Sequence, residues 1–300
     1  MKFLLFGANL VLGVVTTLRA QELDYVDIGF EPYAALKPVG KDRPAHRGEY
    51  PWVVYLTVEA NGGTFGCGGS IITKFHVLTT SRCIVNRGLP VKRIQVSYGN
   101  NLLANTKKVD AEKLYIHPGS SSECGVAILR VKQPFQFSID VQHAKLPEGT
   151  HEYTGARVAA PLWSSYTSGP KGATYLVAVF QTIERNDVCK RRSGPLYRTD
   201  IMYCAKQYPT KSGKGFSGGP WTTRGKDGRS VLIGMGSSIT YGCLLHDVVM
   251  RVDAFMPWIR RTIQGENAQK KPPSSGHLLD LALTPYYFSS DTPALEPVFY

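Results

Sequence analysis

Gly215-Phe216-Ser217-Gly218-Gly219-Pro220 is the stretch on which the fold turns. A serine among glycines is a weak signal by itself, since a turn residue kept for packing reads the same way. Ser217 is a candidate nucleophile only if a base lies within hydrogen-bond reach and a third group orients that base. Two other stretches bear on this. Val77-Leu78-Thr79-Thr80-Ser81-Arg82-Cys83 is one, and Cys124-Gly125-Val126-Ala127-Ile128-Leu129 is the other.

In chain order the three stretches resemble landmarks of the trypsin/chymotrypsin family. The family forms are Val-Leu-Thr-Ala-Ala-His-Cys, Asp-Ile-Ala-Leu-Leu and Gly-Asp-Ser-Gly-Gly-Pro. The resemblance runs from about Ala45 to Ile263. It also takes in Ala45-His46-Arg47-Gly48-Glu49-Tyr50-Pro51-Trp52, Cys67-Gly68-Gly69-Ser70, His117-Pro118, Thr199-Asp200-Ile201-Met202-Tyr203-Cys204-Ala205 and Pro257-Trp258-Ile259. It implies an all-β fold of two six-stranded antiparallel barrels with the site between them, and a C-terminal helix.

The resemblance keeps Ser217 and loses its helpers. Arg82 stands where the family has its catalytic histidine, and Gly125 where it has its aspartate. A guanidinium stays protonated in proteins, so it donates and cannot take a proton. Gly125 has no side chain with which to orient anything. Phe216 replaces the aspartate that receives the family's new N-terminus after activation. The matching cleavage region, Leu36-Lys37-Pro38-Val39-Gly40-Lys41, is also unlike the family's. The oxyanion-hole amides of Gly215 and Ser217 need only backbone geometry. His76 is near Arg82 in sequence, but it reads as a structural residue on the preceding strand. In the substrate pocket, Lys211 falls where trypsin-like members carry an aspartate, and Asp247 where glycine is usual. The two either face each other and plug the pocket or both point to solvent.

The six cysteines are disulfide candidates if the chain is secreted. The resemblance implies bonds Cys67–Cys83 and Cys189–Cys204. Cys124 and Cys243 lack the family's usual partners. They bond to each other, bond to another protein, or stay free, and the family fold sets them far apart for a mutual bond.

Residues 1–20 read as a signal peptide, with Lys2 before an apolar run and Ala20 at its end. The run is short and polar residues follow at once, which argues against a membrane anchor. Residues 21–37 form an acidic leader, 38–265 the protease-like domain, and 266–300 a tail rich in Pro, Ser and Tyr that reads as largely disordered. Within the domain, Pro51–Val58, Ser70–Thr73, Ile94–Tyr98, Tyr175–Phe180 and Val231–Gly234 read as strands. Phe255, Trp258, Ile259 and Ile263 recur at helical spacing.

The net charge of +12 suits association with anionic glycans, nucleic acid or acidic proteins. Lys190-Arg191-Arg192, the densest basic run, reads as a solvated loop. No repeat, nucleic-acid motif, metal set or cofactor motif stands out. The expected function is that of a secreted serine protease homologue without catalysis. It would bind extracellular proteins, active proteases or their substrates, as cofactor, decoy or scaffold. The alternatives are slow esterase or peptidase activity through Ser217, and a basic glycan- or surface-binding protein.

Overall fold

The computed structural model describes residues 43–85, 91–120, 125–164, 174–205, 217–225, 227–236, 248–269 and 286–287. The expected signal peptide and leader lie outside these residues.

The first lobe is built from β2 (Val53–Ala60), β3 (Gly63–Ile71), β4 (His76–Thr80), β5 (Val91–Tyr98), β6 (Lys107–Ile116) and β7 (Val126–Val131), after a short β1 (Arg43–Pro44). Its strand order is β6-β5-β2-β3-β4-β7, and a β6–β7 pairing closes it into a six-stranded barrel. Strand β6 makes closure possible by changing partner midway. Lys107 to Asp110 pair with β5, and Ala111 to Ile116 pair with β7. In β2 buried and half-buried residues alternate, as a barrel wall requires. Strands β4 and β7 are instead buried at every residue. These two strands deliver the candidate site residues.

The second lobe contains β8 (Arg157–Ala159), β9 (Leu162–Ser164), β10 (Tyr175–Ala178), β11 (Phe180–Thr182), β12 (Met202–Cys204), β13 (Pro220–Arg224), β14 (Ser230–Gly236) and β15 (Val248–Arg251). Six of them form a curled sheet in the order β11-β8-β13-β14-β15-β12. Its edges meet at one bridge between Ile183 and Ala205, beside a bond of 2.8 Å from the Glu184 amide to the Cys204 carbonyl. The expected strand Tyr175–Phe180 is divided at Val179. Pro161 lacks an amide hydrogen and interrupts the paired strand opposite. There the Ala160 amide bonds the Val179 carbonyl at 2.7 Å, and the hairpin bends from one sheet into the next.

The linker between lobes is tied to β14 by a bridge from Lys145 to Val231 and by the Leu232 amide on the Lys145 carbonyl at 2.8 Å. Helix α1 (Arg82–Val85) follows β4, and α2 (Asn186–Ser193) precedes β12. The last helix, α3 (Val252–Gln269), buries Phe255, Trp258, Ile259 and Ile263. Removing such side chains from water stabilises the fold by roughly 2 kcal/mol each. The rings of Phe255 and Trp258 meet His117, at the end of β6, edge-on at 5.0 and 5.4 Å.

The fold is therefore the all-β, two-lobed architecture with a C-terminal helix that the resemblance implied. A further local expectation differs. Lys190-Arg191-Arg192 sits on the exposed side of α2 and not on a loop. Helix α3 continues to Gln269, into the stretch expected to be largely disordered. Within the same stretch Tyr286–Tyr287 form a short β16 that pairs with Leu114 and Lys113. Among the described residues no helix is long and apolar enough to cross a membrane.

Candidate functional site

Strand register brings the three landmark positions together. Thr80 pairs with Val126 at the common end of β4 and β7, and the Ser81 amide bonds the Gly125 carbonyl at 3.1 Å. Chain direction then turns into α1, closed by bonds from the Ile84 and Val85 amides to the Ser81 carbonyl. Cys83 is bonded to Cys67 of β3, with Cα atoms 6.0 Å apart. Ser217 is pinned against the same strand, because its carbonyl accepts the Gly68 amide at 2.7 Å.

Gly218 fixes the direction in which the chain leaves Ser217. Its φ is +81°, a conformation that L side chains rarely adopt. A Cβ there would also land on the Thr79 hydroxyl and the Gly68 carbonyl. The Gly218 amide bonds the Gly236 carbonyl at 2.7 Å, which ties the serine loop to β14.

The chemistry of Ser217 follows from its surroundings. The residue is 8% exposed. Its hydroxyl oxygen lies 3.2 Å from that of Thr80, which is fully buried. The Thr80 hydroxyl also lies 3.5 Å from the Cys83 sulfur. A disulfide sulfur has no proton, so only Thr80 can donate in that contact. A neutral hydroxyl is no general base at neutral pH. Ser217 is thus paired with a group that cannot take its proton.

The place of the family's aspartate is filled as well. A Cβ built on Gly125 would fall on the side chain of Ser120. The Ser120 hydroxyl accepts the Val126 amide at 3.1 Å, and the Ser120 amide bonds the His117 carbonyl at 2.8 Å. Glycine at 125 and serine at 120 therefore fit each other.

His76 stands at the other end of β4, opposite Arg130, four residues from Thr80 and so about 13 Å along the strand. Its Nδ1 lies 2.7 Å from the Thr73 hydroxyl. That hydroxyl already accepts the Phe75 and His76 amides at 3.1 Å each, which leaves it to donate to the ring. The histidine closes a turn. His117 has its protonated form disfavoured, first by burial and then by the Arg261 charge, and its Nδ1 accepts the Gly119 amide at 3.1 Å. Among the described residues no three His, Cys, Asp or Glu side chains cluster to hold a metal ion.

Cys189 and Cys204 join α2 to β12, with Cα atoms 5.9 Å apart. Arg192 covers this bond and donates to the Ala205 carbonyl at 2.8 Å. Gly215, Phe216, Lys211, Asp247, Cys124 and Cys243 lie outside the described residues. Thr80 and Ser120 are the site residues that sequence reasoning passed over. Thr80 left a signal, since the family form has alanine at that position. Ser120 left none, because only the packing sets it over Gly125.

The profile of the Trypsin family matches residues 39–259. Serine proteinase stubble of Drosophila melanogaster is 30% identical over 233 residues, covering 71% of this chain and 29% of the relative. Transmembrane protease serine 9 of Rattus norvegicus is 28% identical over 248 residues, covering 79% of this chain and 23% of the relative. The chain thus spans less than a third of the length of either. Among solved structures, the scabies mite inactivated protease paralogue S-I1 superposes with a TM-score of 0.62 at 20% identity, over 75% of this chain and 100% of that one. At that identity the likeness is one of fold alone. With a family profile spanning both lobes and the site between them, the chain belongs to the trypsin family.

Proposed function

We propose that this trypsin-family chain does not cut peptide bonds and acts by binding. The observation that carries this is the Ser217–Thr80 hydroxyl contact at 3.2 Å, in a site whose base position holds Arg82 and whose aspartate position holds Gly125. Loss of the base alone removes about 10⁶-fold in rate where it has been measured in a serine protease of another fold. The partners that suit a protease-shaped surface are extracellular proteases or their substrates, with the chain serving as cofactor, decoy or scaffold. The relatives are named as serine proteases, and one fold neighbour is named as an inactivated paralogue. These likenesses carry the family and the fold, and the non-catalytic reading rests on the residues of the site.

Fluorophosphonate labelling of the secreted protein tests it. Labelling of the wild type at the level of Ser217→Ala is the expected result. Labelling at Ser217 above that control would establish an activated serine and put slow hydrolysis first.

The net charge of +12 favours a second, compatible activity, the binding of anionic glycans. Lys190 and Arg191 on the exposed side of α2 are part of that basic surface.

A further inference from the structure

The site differs from a working protease site at more positions than Arg82, Gly125 and Phe216. Thr80 is fully buried and reaches the Ser217 hydroxyl at 3.2 Å, while Ser120 takes the space into which a side chain at 125 would grow. Both contacts lie within the protein floor and need no ligand to form.

We infer that Thr80 and Ser120 are positioning residues that keep this site inert. Thr80 holds the Ser217 hydroxyl against the barrel wall by a hydrogen bond, and Ser120 denies an aspartate at 125 the room to orient a base. The inference rests on the reading of the site as non-catalytic and adds to it. Putting histidine and aspartate back at 82 and 125 leaves the serine unreactive. Reactivity rises when Thr80 and Ser120 are also cut back.

The physical reasons differ for the two residues. A serine and a buried threonine hydroxyl gain one hydrogen bond from each other, which a base at 82 must outcompete. Ser120 acts by volume and through its bond to the Val126 amide, whose loss leaves that amide to find another acceptor.

The test compares three full-length variants. The first carries Arg82→His and Gly125→Asp, the second adds Ser120→Gly, and the third adds Thr80→Ala. NMR titration follows the histidine introduced at 82, and fluorophosphonate labelling follows Ser217. The expected result is an ordinary histidine pKa in the first variant and one raised by about one unit or more in the second, because the introduced carboxylate then reaches the ring. Labelling is expected to rise about fivefold from the second variant to the third, the factor carried by one net hydrogen bond of about 1 kcal/mol. Equal histidine pKa values in the first two variants, or equal labelling in the last two, overturn the inference.

A fold-independent check uses smaller changes. Gly125→Ala lowers the melting temperature of the otherwise unaltered chain, and adding Ser120→Gly returns most of the loss. Equal melting temperatures for the single and double variants overturn the role of Ser120. Labelling of the unaltered protein at Ser217 would instead strike the proposed function, so the two failures are distinguishable.

Discussion

Arg251 and Asp253, two residues apart where β15 runs into α3, form a two-bonded ion pair with side chains only 5% and 1% exposed. The bonds are 2.8 and 3.1 Å long. The guanidinium also lies 4.5 Å from the Tyr203 ring centre and donates to the carbonyls of His151 and Thr199 at 3.2 Å each. One cation thereby gathers the linker, β12, the loop before it and the start of α3.

A buried pair of this kind costs desolvation to form, so its net worth is small while its one-sided loss is large. Asp253→Ala is expected to destabilise by about 3 kcal/mol, because it leaves the buried Arg251 charge with the exposed Glu152 carboxylate at 3.5 Å as its remaining ion-pair partner among the described residues. Arg251→Met with Asp253→Leu is expected to cost less than the single change. Urea unfolding midpoints of both variants decide the order, and a milder loss for Asp253→Ala would refute it.

Gly218→Ala is expected to destabilise by at least about 2 kcal/mol, since the new methyl meets both an unfavourable φ and two fixed oxygens. Thermal melting gives the size of the loss. Gly228 also has a positive φ, but a Cβ there meets nothing within 4 Å. Gly228→Ala should therefore be the milder of the two, and the reverse order would count against the steric account.

Acid should weaken the fold through two carboxylates. Bonds first from Lys145 and then from Arg229 hold Asp227 well below its ordinary 3.8. Burial pushes Glu49 upward, but bonds from Arg43 and the His46 amide outweigh it and leave the group below its ordinary 4.5. A carboxylate with a lowered folded pKa contributes stability above its unfolded pKa, and loses it as pH falls through the folded one. The melting temperature should hold from neutral pH down to about pH 5 and fall steadily below about pH 4. A double variant, Asp227→Asn with Glu49→Gln, should start lower and fall less. Parallel curves for the two proteins would remove both groups from the account.

Heparin retention tests the basic surface. Elution should need high salt and advance steeply as salt rises, because exposed charge contacts are screened. Lys190→Glu with Arg191→Glu should elute at lower salt than the unaltered chain. No retention at low ionic strength would dispose of the glycan reading.

How much of this was legible beforehand depends on the range of the contact. Helix α3 was readable, because Phe255, Trp258, Ile259 and Ile263 mark one face with a local period. Helix α2 was not. Cys189 is its one described buried side chain, so it has no apolar stripe to read. The bend at Val179 was hidden because it is set by Pro161 on the facing strand. The emptied positions 82 and 125 were plain from residue identity alone. Their fillings, Thr80 under Ser217 and Ser120 over Gly125, are contacts between segments, and single-residue reading does not see those.

The Thr80–Ser217 contact spans 137 positions, whereas the two disulfides close over 16 and 15. Loop-closure entropy grows with the span. Closing the longer span costs about 2 kcal/mol more chain entropy than closing either disulfide loop. Each disulfide joins neighbouring segments, whereas the floor of the cleft exists only when both lobes are in place.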